Sequence, residues 1–232
     1  MQTAAILLLL ICYGAAGYLV WQQRNLIYLL VILAGHVGAL LLPLWHLLYA
    51  GDSRLSLATF WATLSQPPTL TSILIAGWPH ALPAIFVLLL YLTRWWFPGS
   101  LTGAMTYVVF LLYHLLIELI GLQSGLWPSR YSPLPFGVPA PLFSAIMAAL
   151  VSYALLYVLL SIYRYAWTSL ILALLPTLLL LSLLVYGLLG APLWIALALD
   201  GVPWAVGLGT ASALALLLWA VQIVTGGIRR VE

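Results

Sequence analysis

The 232-residue sequence predicts an all-α integral membrane protein, a bundle of seven transmembrane helices with the N-terminus outside and the C-terminus cytoplasmic. Three observations carry this. Seven apolar stretches fill the chain, only 5% of its residues are charged, and Arg24, Arg94, Arg164, Arg229 and Arg230 fall at ends that alternate crossing puts on one side. A hydrocarbon core of about 30 Å takes about 20 apolar residues per helix, so seven spans leave no room for a soluble unit. Residues 1–232 therefore read as a single membrane domain. Soluble domains carry roughly a quarter charged residues, whereas this chain is 66% hydrophobic with a mean hydropathy of +1.19.

The first span, about Ala4 to Trp21, has no basic residue before it, unlike a cleaved signal peptide, and is expected to be retained. The second and third run from about Leu26 to Tyr49 and Leu70 to Leu92, and the fourth from about Thr102 to Leu122. The last three cover about Leu142 to Tyr163, Thr168 to Leu189 and Trp204 to Thr225. Five arginines lie at the ends of the odd-numbered spans against Arg54 and Arg130 on the other side, so the first side is expected to be cytoplasmic. Trp21, Trp95, Trp96, Tyr163 and Tyr165 sit beside those arginines, as amphipathic rings do at the headgroup level.

The outward connections are longer. Leu57, Phe60, Trp61 and Leu64 recur at helical spacing between Asp52 and Gln66, which predicts a short helix lying on the membrane surface, ended by Pro67 and Pro68. Residues 123–140 carry Pro128, Pro133, Pro135 and Pro139 among Trp127, Tyr131 and Phe136, a stiff aromatic loop suited to capping a cavity. Ala191 to Asp200 is apolar but too short to cross, so it is expected to dip into the interface or fold over the bundle.

Several function classes are excluded. The seven arginines flank helices singly, as topology signals rather than a nucleic-acid surface. Lysine is absent, so no retinal Schiff base can form. Cys12 is the only cysteine, and Asp52, Glu118, Asp200 and Glu232 are too dispersed for a carboxylate metal motif, so no metal site is expected.

The fourth span carries the leading site candidate. Gly103, Thr106, Tyr107, Phe110, His114, Glu118 and Gly121 repeat at three- and four-residue intervals along one face, which makes His114 and Glu118 helical neighbours. An ionisable group at membrane depth is costly and turns toward a partner or water, so Glu118 is the one intramembrane acid able to exchange a proton. A hydrogen bond to His114 or a salt bridge to Arg130 is its structural alternative.

In the third span, Gly77, Trp78, Pro79, His80 and Pro83 predict a polar kink, because the two prolines leave the carbonyls of Ile75 and Pro79 without donors. His36, His80 and His114 fall at similar depths in straight helices, a pattern compatible with haem or chlorophyll ligation, though packing or interhelical hydrogen bonding accounts for each as well. Tyr153 and Tyr157 share a face of the fifth span. With Trp78, His80, Tyr107, Trp127 and Tyr131 they are candidate contacts for a long apolar ligand, and the same stripes also serve helix packing.

Glu118-Leu119-Ile120-Gly121, followed by Gly125-Leu126-Trp127 and Arg130-Tyr131, resembles polytopic carotenoid cyclases and hydratases, which place a membrane acid before a Gly- and aromatic-rich turn. The resemblance implies protonation of an isoprenoid double bond by Glu118, with Trp127 or Tyr131 stabilising the cation. The similarity covers barely fourteen residues, and the further acids of such a site are not present.

The function expected from the whole is an accessory subunit of a larger photosynthetic or respiratory membrane complex, packed among lipids and other integral membrane proteins of a bacterial inner membrane. It would help assembly and bind carotenoid, quinone or lipid. The alternative is a membrane isoprenoid- or carotenoid-modifying enzyme with Glu118 as acid and His114 beside it. Transport ranks lower, since no matched pair of broken helices is evident in the sequence.

Overall fold

The computed structural model describes residues 2–49, 62, 70–125, 134, 139–165, 168–199 and 202–231. All regular structure among them is helical, with six helices long and apolar enough to cross a membrane and a bent pair that makes a seventh. The expected surface helix between Asp52 and Gln66 lies outside the described residues apart from Ala62. So does most of the proline-rich loop, of which Leu134 is described and is buried in the core.

Helix α1 (Gln2–Gln23) ends at Arg24, whose φ of 56° is left-handed. The Asn25 side chain then accepts the Ile27 amide at 3.0 Å, satisfying one of the donors that the first turn of α2 (Ile27–Ala39) leaves open. The second span is not one helix, as the sequence suggested. It breaks at Leu40 and Leu41 and continues as α3 (Leu42–Tyr49) at an angle of 43°. Pro43 is the cause. It has no amide for the Ala39 carbonyl and its ring crowds that turn, so the chain tightens into three-residue bonds from Leu40 N to Val37 O and from Leu41 N to Gly38 O.

Helix α4 (Leu70–Leu92) has the predicted bounds and runs through Pro79 and Pro83 without interruption. It closes with Trp95 N on Leu90 O at 2.8 Å and Arg94 N on Tyr91 O at 3.1 Å, with Arg94 left-handed at φ 61°. This is a Schellman turn, made here by arginine instead of the usual glycine. Helices α5 (Ser100–Gln123) and α6 (Ala140–Tyr165) follow.

The sixth span is also irregular. A 3₁₀ turn (Thr168–Ala173) leads into α7 (Leu174–Ser182) and then a π-helical segment (Leu183–Leu189). The apolar segment after it forms α8 (Ala191–Ala198), which buries Leu193, Ala196 and Leu197 and folds back on the start of α9 (Pro203–Arg229).

Helix α6 is the central post, packed by α4, α5, α7 and α9 and buried along 72% of its most apolar window, against 17% for α1. Helices α2 and α4 cross at Gly35 and Gly77, each of which leaves room for the other's backbone. At the arginine-rich end, Arg164 Nη1 donates to Arg230 O at 3.0 Å, so the ends of α6 and α9 lie together. By contrast α4 and α5, joined by a short connection, meet at only a few residues.

Candidate functional site

The buried residues of α5 are Gly103, Thr106, Tyr107, Phe110, His114 and Gly121, the face the spacing marks out, with Glu118 half-buried on it. That face meets α6 through serines. Ser144 Oγ donates to Glu118 Oε1 at 2.5 Å, and His114 Nε2 is hydrogen-bonded to Ser152 Oγ at 2.8 Å. Ser144 and Ser152 are at most 1% exposed and His114 2%. Interhelical hydrogen bonds at membrane depth contribute on the order of 1 kcal/mol each, so these two align α5 on α6 and set the rotamers of both ionisable groups. The His80 ring of α4 lies against His114 at 5.2 Å between centroids, and Tyr113 meets His114 edge-on at 5.0 Å.

Two small cavities open beside these groups. One, of about 50 Å³, is lined by His80, His114, Glu118, Pro79 and Tyr186 among others, and the second, of about 40 Å³, by His80, Ser182, Trp45 and Tyr186 among others. Leu42, Ala76, His80 and Tyr186 border both.

Irregular backbone meets there, and its open carbonyls are satisfied by aromatic donors. Gly190 N bonds back five residues to Val185 O, and Pro192 brings no amide to continue that pattern to Gly187 O. The Tyr49 hydroxyl takes that of Tyr186 at 2.7 Å, and Trp194 Nε1 takes that of Gly187 at 2.9 Å. Trp45 stacks on the Tyr186 ring with centroids 5.5 Å apart.

A much larger space of about 610 Å³ lies where α4 and α5 diverge. Pro83, Phe86 and Leu90 line one wall, Met105, Val109 and Tyr113 the other, and Trp96 lies at the arginine-rich end, its Nε1 donating to Thr106 Oγ1 at 3.0 Å. Phe86, Met105 and Val109 are 62%, 61% and 59% exposed, so the space is a groove on the outside of the bundle. Its inner end, at Leu82 and Tyr113, is one turn or less along α4 and α5 from Pro79, His80 and His114.

The other sequence candidates are scattered. His80 borders both small cavities, whereas Trp78 is buried away from them and from the groove. Tyr107 donates to Ile146 O at 3.3 Å and its ring lies 5.6 Å from that of Tyr153, whose hydroxyl shares a 3.0 Å hydrogen bond with Thr225 on α9. Both are therefore engaged in fastening α5, α6 and α9. Tyr157 is 38% exposed and packs by Gly227, while Trp127 and Tyr131 lie outside the described residues. His36 donates from Nδ1 to Ile73 O at 3.2 Å and stacks on Tyr13, which makes it part of the α1–α2–α4 contact. The groove residues carry no charged or ionisable-cluster marker in the sequence, and their few polar side chains, Thr102, Thr106 and Tyr113, sit among apolar ones. Only the spacing of Pro83, Phe86 and Leu90 against Met105, Val109 and Tyr113 signals two apolar faces able to oppose each other.

Comparison with protein-family models, curated proteins and solved structures gives no match. Among the described residues no three His, Cys, Asp or Glu are grouped to hold a metal ion.

Proposed function

We propose that this chain is an integral protein of a bacterial inner membrane, an accessory subunit of a larger membrane assembly that holds a long apolar molecule in the α4–α5 groove. The groove carries the reading, since about 610 Å³ of apolar space falls within the range of small-molecule pockets. In a bilayer, lipid tails are as apolar as the groove walls, so expulsion of water gives no preference for one chain over another. Fit and stiffness decide. A rigid carotenoid or isoprenoid quinone loses less conformational freedom on entering than a saturated acyl chain, and the groove favours it for that reason. Exposed apolar surface on α1 and α5 suits neighbouring membrane helices as well as lipid.

Purification in mild detergent, with native mass spectrometry and analysis of extracted apolar molecules, tests both parts. Partner chains and one enriched carotenoid, quinone or lipid are the expected result, and a monodisperse monomer with unselected lipid would count against them. Val109→Trp fills the groove from its open side and leaves the core untouched. A loss of ~1.4 kcal/mol in groove packing lowers affinity tenfold, so the enriched molecule is expected to fall, by up to tenfold where the groove is far from saturated, while folded yield is unchanged.

The arginine distribution supports an N-terminus outside and a cytoplasmic C-terminus. In a Cys12→Ser background, an impermeant thiol reagent on intact cells is expected to label Ser132→Cys and spare Glu232→Cys; the reverse pattern would invert the orientation.

The position of the Glu118 cavity just past the groove's inner end favours one second reading, an isoprenoid-modifying enzyme with Glu118 as acid. Glu118→Gln keeps the size and removes the acid. If the reading holds, turnover of a supplied polyene drops on the order of 10² or more with assembly retained, and undiminished turnover would eliminate it.

A further inference from the structure

The break between α2 and α3 and the π segment after α7 converge on the two small cavities, which share the wall made by Leu42, Ala76, His80 and Tyr186. Irregular backbone at membrane depth persists where it is buried in protein or lines a water-filled space. We propose that the two cavities hold a short chain of ordered water through which Glu118, His114 and His80 share a proton. This internal proton-binding site does not depend on what the groove holds.

Size selects the occupant. A cavity needs about 10–15 Å³ of open space to hold one water, so spaces of about 50 and 40 Å³ admit a few molecules each. Organic ligands need roughly 300 Å³ or more. Polarity agrees, because an apolar void of this size stays dry, whereas a water needs two to four polar partners. Here the Glu118 carboxyl, both imidazoles and the Ser182 hydroxyl border the space.

The titratable groups facing the cavities are His80 from α4, His114 and Glu118 from α5, and the Tyr186 side chain from the π segment. The residues that α2, α3, α6 and α7 add to the walls do not titrate, Ser182 and Ala148 among them. One acid and two imidazoles give three places for a proton. When Glu118 releases its proton, the carboxyl O–H bond breaks toward a cavity water. That water passes one of its own protons to an imidazole nitrogen of His80 or His114, leaving carboxylate and imidazolium with no net change of charge. The hydrogen bonds from Ser144 to Glu118 and between Ser152 and His114 hold the two ends of this path in place.

The test uses the full chain in phosphatidylcholine nanodiscs and infrared difference spectra through a pH titration. The C=O signal of protonated carboxylic acids includes Asp52, Asp200 and Glu232, so the Glu118 component is read as the difference between the parent and Glu118→Gln. That component is expected to grow as pH falls and to shift promptly in heavy water. Imidazole bands are expected to change in the same titration step. Ala76→Leu places a larger side chain into the wall common to both cavities and leaves every ionisable residue in the sequence, and Ala148→Val narrows the first cavity from α6 if the first variant does not fold. In either, the Glu118 band is expected to lose its prompt deuterium exchange and its coupling to the imidazole bands. A C=O signal identical in the parent and Glu118→Gln, or exchange and coupling of the Glu118 component unchanged in the filled variants, would overturn the proposal.

Discussion

Gly77→Leu is expected to abolish recovery of the folded protein. A Cβ at Gly77 would lie 2.8 Å from both the His36 backbone nitrogen and its Cα, and would run into His36 Nδ1. At Gly35 a Cβ would press on the Gly77 carbonyl, with its carbon 2.9 Å away. Besides the His36 ring the obstacles are backbone, which cannot swing aside as a flexible side chain can. Overpacking a tight core costs about 1–3 kcal/mol and sometimes more. Here separating the helices would also break the His36–Ile73 hydrogen bond and loosen one of the most extensive helix contacts in the bundle. Against a total stability of roughly 5–15 kcal/mol, that is a large fraction. A Cβ at Gly14 would meet no heavy atom within 4 Å, so Gly14→Leu serves as the control. Size-exclusion profiles and thermal unfolding in detergent read the difference. A Gly77→Leu protein that melts with its parent would refute the crossing.

The second large effect belongs to Tyr49. Its ring is fully buried and its hydroxyl donates to the Tyr186 carbonyl of the π segment. Tyr49→Phe keeps the ring and removes that buried donor, at a cost of about 1–3 kcal/mol. Tyr49→Ala also opens a cavity against Phe143 and Tyr186, and the expected loss rises to about 3–5 kcal/mol. Reversible unfolding of the two variants in one detergent separates the terms. Equal stability of Tyr49→Phe and the parent would mean that the carbonyl has another donor.

The spans themselves were legible because length and apolarity leave little choice, and the bounds Leu70–Leu92 came directly from them. The inward face of α5 was legible too, since a helix of fixed period sorts Gly103 through Gly121 onto one side. What hydropathy could not resolve was backbone irregularity inside an apolar run. Leu26 to Tyr49 reads as one span until Pro43 is given its steric weight, and nothing local in Leu183–Leu189 signals a π segment. That segment rests on Tyr49 and Trp194, remote donors that satisfy its carbonyls. The serine partners of the site escaped for a related reason. Ser144 and Ser152 look like ordinary small residues of an apolar helix until α5 is laid against α6 and brings Glu118 and His114 to them.

The outward opening of the α4–α5 groove, through Phe86, Met105 and Val109, has a consequence for how it fills. If the groove holds an apolar molecule as proposed, and those side chains lie among lipid tails, it would draw on a two-dimensional reservoir. Occupancy would then follow the mole fraction of the visiting molecule in the surrounding leaflet and not its solubility in water. Arrival would be by lateral diffusion past Val109 and Met105, so crowding of the membrane by neighbouring proteins on that side would slow exchange without touching a single residue of the site.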